Sequence, residues 1–139
     1  AEQARQAARR AQEEKEAAAL AELLQQETQY QRAQADKQAE EDIARLNDLI
    51  VQLVSSHWIR PAGARNGMVV TVRVDILADG TIRHATVAQS SGNQAFDNSA
   101  VAAVLSVGRI REIQALERSV YERSYRQLTM DFKPEDLGL

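Results

Sequence analysis

The apolar positions of the chain change their spacing at Pro61, and this change separates two kinds of predicted structure. Neither Pro nor Gly occurs before that residue. Since Ala, Glu, Gln, Arg and Leu are good helix formers, this stretch predicts one very long helix or two helices in series. Over residues 43–54 apolar side chains recur every three or four positions, so this part must face a core. They are Ile43, Leu46, Leu49, Ile50, Leu53 and Val54.

The helix before Ile43 has few apolar side chains and no sustained heptad. The residues that stand out from alanine and charge are Leu20, Leu23, Leu24 and Tyr30. We interpret residues 1–42 as a solvated helical spacer. Pairing in a coiled coil or a helical hairpin is the alternative, and the leucine cluster could dock on a neighbouring molecule.

After Pro61 the apolar residues alternate with a period of two, which predicts a strand. They are Met68, Val70, Val72, Val74 and Ile76. Asp79-Gly80 then predicts a two-residue hairpin turn. That turn places Ala85 opposite Val74 and Val87 opposite Val72 on the core face, with Leu77–Ile82 and Asp75–His84 facing pairs on the other.

The last third of the chain predicts one more helix, a short helical turn and a third strand. Ser90–Asn93 ends the second strand, and Asp97 is expected to cap a helix that closes at Gly108. The predicted core face of that helix is Ala100, Val101, Val104 and Leu105. Residues 118–125 allow another turn or two of helix. The alternation of Leu128, Met130 and Phe132 predicts a strand that Pro134 stops.

This order of elements predicts an α+β fold. A long N-terminal helix leads into a three-stranded antiparallel sheet with helices packed on one face. We divide the chain into a helical spacer, residues 1–42, and a folded domain, residues 43–139. Every Val and Ile lies at position 43 or later, so the spacer lacks the side chains to build a core.

Charge and composition exclude several classes of function. The net charge is −3, and no basic patch is present for nucleic acid. Cysteine is absent, which excludes disulfides and Cys-based metal or redox chemistry. No apolar run reaches the ~20 residues that span a bilayer. Because the sequence begins within an Ala/Glu/Arg tract, any membrane anchor is expected outside it.

The residues for catalysis are also missing. His57 is expected to pack or cap at the helix end, beside a Trp58 that fills the helix–sheet junction. His84 faces Asp75, which predicts a cross-strand ion pair, and a hydrolase or metal site built on these two is the alternative. Ser90 and Ser91 have no histidine to activate them. We therefore predict a non-enzymatic protein with no cofactor, no metal and no small-molecule substrate. A purely structural coiled-coil protein is a further alternative.

The third strand comes from a separate helix, so it must form an edge of the sheet unless it inserts between the other two. The unpaired backbone groups of an edge are a template for an added strand. Strand addition by a partner is therefore the binding hypothesis, and an ordinary protected edge is the alternative.

Several short strings resemble the TonB/TolA C-terminal domain family. They are Trp58-Ile-Arg-Pro61, Gly67-Met68, Asp79-Gly80, Ser90-Ser91-Gly92, Phe96-Asp97 and Ser99-Ala100 through Ala103-Val104. The ending Phe132-Lys-Pro-Glu-Asp-Leu137 and the Ala-rich charged helix are similar to the TolA branch of pseudomonads and related gammaproteobacteria. A TonB-like energy transducer that contacts outer-membrane receptors is the alternative, but the Pro-rich spacer of TonB is absent.

The resemblance implies a force-transmitting, protein-binding domain in the periplasm, anchored in the inner membrane through a segment absent from this chain. Its implied partners are the N-terminal segment of TolB, colicins and the minor coat protein of filamentous phage. Its implied roles are envelope integrity and constriction at division. The implied binding edge is Tyr125, Arg126, Gln127, Leu128, Thr129, Met130, Asp131, Phe132 and Lys133, with Gln127, Thr129 and Asp131 pointing outward.

Overall fold

The computed structural model of the chain describes residues 1–138, and its elements follow the predicted order. One helix extends from Glu2 to His57, so the alternative of two helices in series is wrong. The elements are α1 (Glu2–His57), β1 (Val70–Ile76), β2 (Ile82–Gln89), α2 (Gln94–Val107), a 3₁₀ helix (Arg111–Ala115), α3 (Arg118–Ser124) and β3 (Gln127–Phe132).

The chain divides into two compact units, Ala1–Glu41 and Asp42–Leu139. Nearly every side chain of the first unit is exposed, including Leu20, Leu23, Leu24 and Tyr30. The second unit has a single core that combines the apolar stripe of α1, the buried face of the sheet and one face of α2. Within this unit Leu46, Ile50 and Val54 are buried, as the helical spacing predicts.

The sheet has the order β2-β1-β3, and both pairings are antiparallel. Val70, Val72, Val74 and Ile76 are all buried on one face. The predicted α+β fold, with helices against one face of a three-stranded sheet, is therefore confirmed.

The hairpin turn is one residue longer than predicted. Gly80 N–H donates to the Leu77 carbonyl at 2.9 Å, and Leu77 N–H donates to the Thr81 carbonyl at 2.8 Å, so the loop is Ala78–Gly80. Ile76 consequently faces Ile82, and Ile82 packs against the core rather than facing Leu77 on the outer side. Asp-Gly also suits a three-residue loop that ends in a glycine with positive φ, and Gly80 has φ 91°.

A bulge at Arg83 restores the predicted register beyond the turn. Asp75 faces His84 and Val74 faces Ala85, with the shift lying between Asp75 and Ile76. Val87 faces Val72 as expected but is 38% exposed, because β2 is an edge strand that the helices cover only in part.

The start of α2 differs from the prediction. Asn93 is the N-cap, and its side chain accepts a hydrogen bond from Phe96 N–H at 3.1 Å. Asp97 lies inside the first turn and is 5% exposed, so its assignment as the cap is wrong. The core face of α2 is also shifted: Ala103 is buried, whereas Leu105 is 48% exposed. The helix closes at Gly108 as predicted.

Candidate partner-binding edge

β3 lies at one edge of the sheet, paired with β1 on one side only. It is not inserted between the hairpin strands. The other edge, β2, is covered at its start, because Ile82 N–H donates to the Gly108 carbonyl at 2.9 Å and Ile110 N–H donates to the Gly80 carbonyl at 2.8 Å. Among the described residues, no strand pairs with the outer side of β3. Within residues 1–138, this edge is therefore not occupied by another strand.

The side chains of β3 alternate between the core and solvent. Leu128 and Phe132 are buried and Met130 is half-buried, whereas Gln127, Thr129 and Asp131 are exposed. These last three side chains therefore point outward, as expected. Of the flanking residues implied by the resemblance, Arg126 and Lys133 are exposed. Tyr125 is fully buried, so its side chain is not available to a partner.

The backbone N–H and C=O groups of β3 also point alternately toward β1 and toward the open edge. One hydrogen bond establishes which residues point in which direction. Ile76 N–H donates to the Arg126 carbonyl at 3.3 Å, which makes these two a hydrogen-bonded pair. In an antiparallel ladder such pairs alternate with pairs whose N–H and C=O groups point away from each other. With Val74 facing Leu128 and Arg73 facing Thr129, residues 128, 130 and 132 bond inward. The backbone groups of 127, 129 and 131 therefore point to the open edge.

Two tyrosines fix the start of β3. The Tyr125 hydroxyl contacts Asn47 Oδ1 at 2.9 Å and the Ile43 carbonyl at 3.3 Å, which ties the strand to α1. Burial raises the pKa of Tyr125 to about 12. Tyr121 of α3 donates to the Ile76 carbonyl at 2.6 Å. The edge thus begins from a fixed point in the core rather than from a loose loop.

Asp97 holds the turn that joins β2 to α2. Its carboxylate accepts hydrogen bonds from the hydroxyls of Ser90 and Ser91 and, at 3.0 Å, from Ser91 N–H. Burial alone raises the pKa of Asp97, but these bonds outweigh it and hold the pKa below its ordinary value. The Ser-Ser-Gly string therefore fixes the turn between β2 and α2 through Asp97.

Trp58 also differs from its predicted role. The ring is half-buried, meets Phe96 edge-on with centroids 6.2 Å apart, and donates from Nε1 to Ser99 Oγ at 2.9 Å. It therefore joins the end of α1 to α2 at the margin of the core, and it is less buried than predicted. His57 Nδ1 lies 2.9 Å from the Leu53 carbonyl, a helix-end contact of the kind expected.

Asp75 and His84 face each other on the outer side of the sheet, but in the described part of the chain the ion pair predicted between them is not formed. Asp75 faces His84, and one buried carboxylate oxygen of Asp75 has no hydrogen-bond partner. The pair lies at the rim of an open hollow of about 610 Å³ that also includes Tyr121. Within residues 1–138 no group of three or more His, Cys, Asp and Glu side chains is placed to hold a metal ion.

Two features of the site were not predicted from the sequence. Asn93 takes the capping position, for which the only signal is an Asn directly before the helix. The contact of Tyr125 with Asn47 joins residues far apart in the sequence, and no local pattern signals it.

None of the helices in the described part of the chain is both long and apolar enough to cross a membrane.

The chain is similar to known proteins over a large part of its length. The family model described as TonB C terminal matches residues 45–123. The Tol-Pal system protein TolA of Pseudomonas aeruginosa is 54% identical over 121 residues, which are 87% of this chain and 35% of that protein. The chain thus spans about a third of the length of this curated relative.

A solved structure agrees with the fold. It is the solution NMR structure of TolAIII bound to a peptide derived from the N-terminus of TolB. It shares 58% sequence identity with a TM-score of 0.61, over 66% of this chain and 74% of that chain. The resemblance found in the sequence is confirmed by this match and by a family match over more than half of the chain. The chain belongs to the TonB C-terminal family.

Proposed function

We propose that this chain is the partner-binding end of a TolA-type protein of the Tol-Pal system, and that it binds an N-terminal segment of TolB by strand addition to β3. The observation that carries the proposal is the open edge, where the backbone N–H and C=O groups of residues 127, 129 and 131 point away from the sheet. The 58% identical TolAIII, solved with a TolB-derived peptide, supports the choice of partner.

The edge suits strand addition because it is already formed in the absence of a partner. Leu128 and Phe132 are buried in the core, and Tyr125 is hydrogen-bonded to α1. A preformed edge loses little conformational entropy on binding, so more of the interaction energy appears as affinity. Backbone hydrogen bonds then supply affinity, and exposed side chains at alternate positions supply specificity.

The proposed role is mechanical and not catalytic. A helix without Gly or Pro from Glu2 to His57 enters the core of the second unit at Leu46, Ile50 and Val54. Pulling on a strand ladder along its length loads many hydrogen bonds together, which suits force transmission. We place the domain in the periplasm as part of an inner-membrane-anchored protein. Envelope integrity, division, and use by colicins and filamentous phage belong to this proposal.

Substitutions at Thr129 test strand addition directly. Proline removes the outward N–H of residue 129 and is tolerated on an edge strand whose N–H faces solvent. Thr129→Pro is expected to weaken binding of a TolB N-terminal peptide at least tenfold by calorimetry. Thr129→Ala removes the side chain but keeps the N–H, so it serves as the matched control and should bind nearly as the parent does.

Circular dichroism and the thermal midpoint establish that both variants keep the fold. Equal affinity of the folded proline variant and the parent for the peptide would show that the partner does not use this edge.

A further inference from the structure

The start of β3 carries an excess of positive charge. The hollow of about 610 Å³ on the outer face and a second one of about 430 Å³ share Glu122, Arg126 and Gln127 in their linings. Together the two hollows are lined by four arginines and two carboxylates, namely Arg83, Arg118, Arg123, Arg126, Asp75 and Glu122. Arg118 and Glu122 form an ion pair at 3.1 Å. Arg123 and Arg126 are exposed and are the cations nearest to Gln127 in sequence.

The other end of β3 carries an excess of negative charge. Asp131 accepts a hydrogen bond from Thr71 Oγ1 at 2.6 Å, and Glu135 accepts one from Gly67 N–H at 3.2 Å, so both carboxylates are held in place. Asp136 adds a third acid. Lys133 also lies at this end, Arg65 lies in the loop before Gly67, and the exposed Arg73 faces Thr129 in the middle of the strand.

The two ends are far enough apart to act separately. A six-residue strand spans about 20 Å, roughly twice the distance over which exposed charges are screened at 0.1 M salt. Backbone hydrogen bonds form with either a parallel or an antiparallel added strand. The backbone of the edge alone accepts an added strand in either orientation. A charge difference along the edge therefore favours one orientation over the other.

From this arrangement we infer that β3 sets the direction of an added strand by charge. The preferred occupant is an extended peptide with its acidic end beside Arg123 and Arg126 and its basic end beside Asp131. A peptide that begins with acidic residues then runs parallel to β3, and one that begins with basic residues runs antiparallel. This inference rests on the proposed strand addition and specifies the kind of segment that the edge accepts.

Two peptides of identical composition test the inference on the full 139-residue chain. Each has the same Val/Thr core, with Glu-Glu at one end and Lys-Lys at the other, in opposite order, and a spin label at its N-terminus. The acidic-first peptide is expected to broaden the amide signals of residues 126 and 127. The basic-first peptide is expected to broaden those of residues 131–133.

The outcomes separate this inference from the proposed function. Broadening of the same end of β3 by both peptides would overturn the choice of direction and leave strand addition intact. If a TolB N-terminal peptide shifts the β3 amides while neither synthetic peptide does, the inference is again overturned. Absence of β3 shifts with all three peptides would instead contradict strand addition.

Charge reversal on the chain provides a second readout. The double substitution Arg123→Glu and Arg126→Glu is expected to weaken binding of the acidic-first peptide by about three- to tenfold. This is the range for a pair of exposed charge contacts. The loss should shrink as salt is raised. The matched control, Arg9→Glu with Arg10→Glu in the first unit, changes the net charge equally and should leave affinity unchanged. Equal losses in both variants would contradict the inference.

Discussion

The position of Gly80 imposes two requirements that only glycine meets. Its φ of 91° lies in the left-handed region, and a Cβ there would come within 1.9 Å of the Ile110 carbonyl oxygen. The Gly80 carbonyl also accepts a hydrogen bond from Ile110 N–H at 2.8 Å. The hairpin turn and the segment after α2 are thus fixed against each other at this residue.

Replacing Gly80 by alanine should therefore destabilise the fold strongly. Positive φ alone costs on the order of 1 kcal/mol for alanine, and the backbone clash adds to it. We expect Gly80→Ala to lower the free energy of unfolding by roughly 2–4 kcal/mol in urea titrations. Gly67→Ala is the control, because Gly67 has φ 95° with open space around its Cβ position. Similar losses in the two variants would show that the contact with Ile110 is unimportant.

Asp97 makes the stability of the fold depend on pH in the acidic range. Its pKa in the folded state lies below the ordinary value of 3.8, so its contribution is present above that value and is lost as the pH falls through the folded-state pKa. We expect Asp97→Asn to lose about 1–3 kcal/mol at pH 7, and the difference from the parent to narrow below pH ~4. Urea titrations across pH measure it, with the exposed Asp48→Asn as control. A difference in free energy of unfolding between the variant and the parent that stays constant down to pH 2 would contradict this account.

At the scale of elements, the contact between α1 and Tyr125 positions the start of the proposed binding edge. Tyr125 is buried two residues before β3 and contacts Asn47 through its hydroxyl. Its raised pKa of about 12, against an ordinary 10.0, means that folding favours the neutral phenol. This contribution is present below the unfolded-state pKa and is lost as the pH rises from about 10 through 12.

Tyr125→Phe is expected to remove both the hydrogen bond and the alkaline sensitivity. The variant should lose about 1 kcal/mol at pH 7, because the Asn47 side chain loses its partner. Its stability should fall less steeply than that of the parent between pH 10 and 12. Tyr30→Phe, at an exposed tyrosine of the first unit, is the control. Identical alkaline profiles for the Tyr125 variant and the parent would contradict the assigned role.

The elements were predictable from the sequence where one physical signal dominated. Alternation predicted β1 and the buried side of β3. The facing pairs around Val74 agree with the prediction only because the bulge at Arg83 offsets the extra residue of the turn. The turn length was not predictable, because Asp-Gly suits both two- and three-residue loops. The role of Asp97 was missed for a similar reason, since an acidic residue near a helix start serves equally as a cap or as a buried acceptor.

At the scale of the molecule, all residues of the buried core belong to the second unit, from Leu46 to Leu137. The predicted boundary between residues 42 and 43 leads to a further expectation. Deleting residues 1–42 should leave the thermal midpoint of the remaining chain within about 2 °C of the parent. Calorimetry measures the midpoint. A drop of 5 °C or more would show that the spacer contributes to the fold of the domain.

The position of the proposed binding edge came from the resemblance together with the order of the strands, and not from any local pattern in β3. Exposed charges mark its two ends, and such residues are common on any surface. The single-sided pairing of β3 is a property of the assembled sheet. For this reason the edge could be proposed from the sequence, but its outward backbone groups required the three-dimensional register.

An amide-shift titration of the 139-residue chain with a TolB N-terminal peptide tests the central claim most directly. We expect the largest shifts at residues 125–133, with slowed hydrogen exchange at the amides of Gln127, Thr129 and Asp131 as their N–H groups gain partners. Shifts confined to residues 43–57 of α1, with the β3 amides unchanged, would contradict strand addition at this edge.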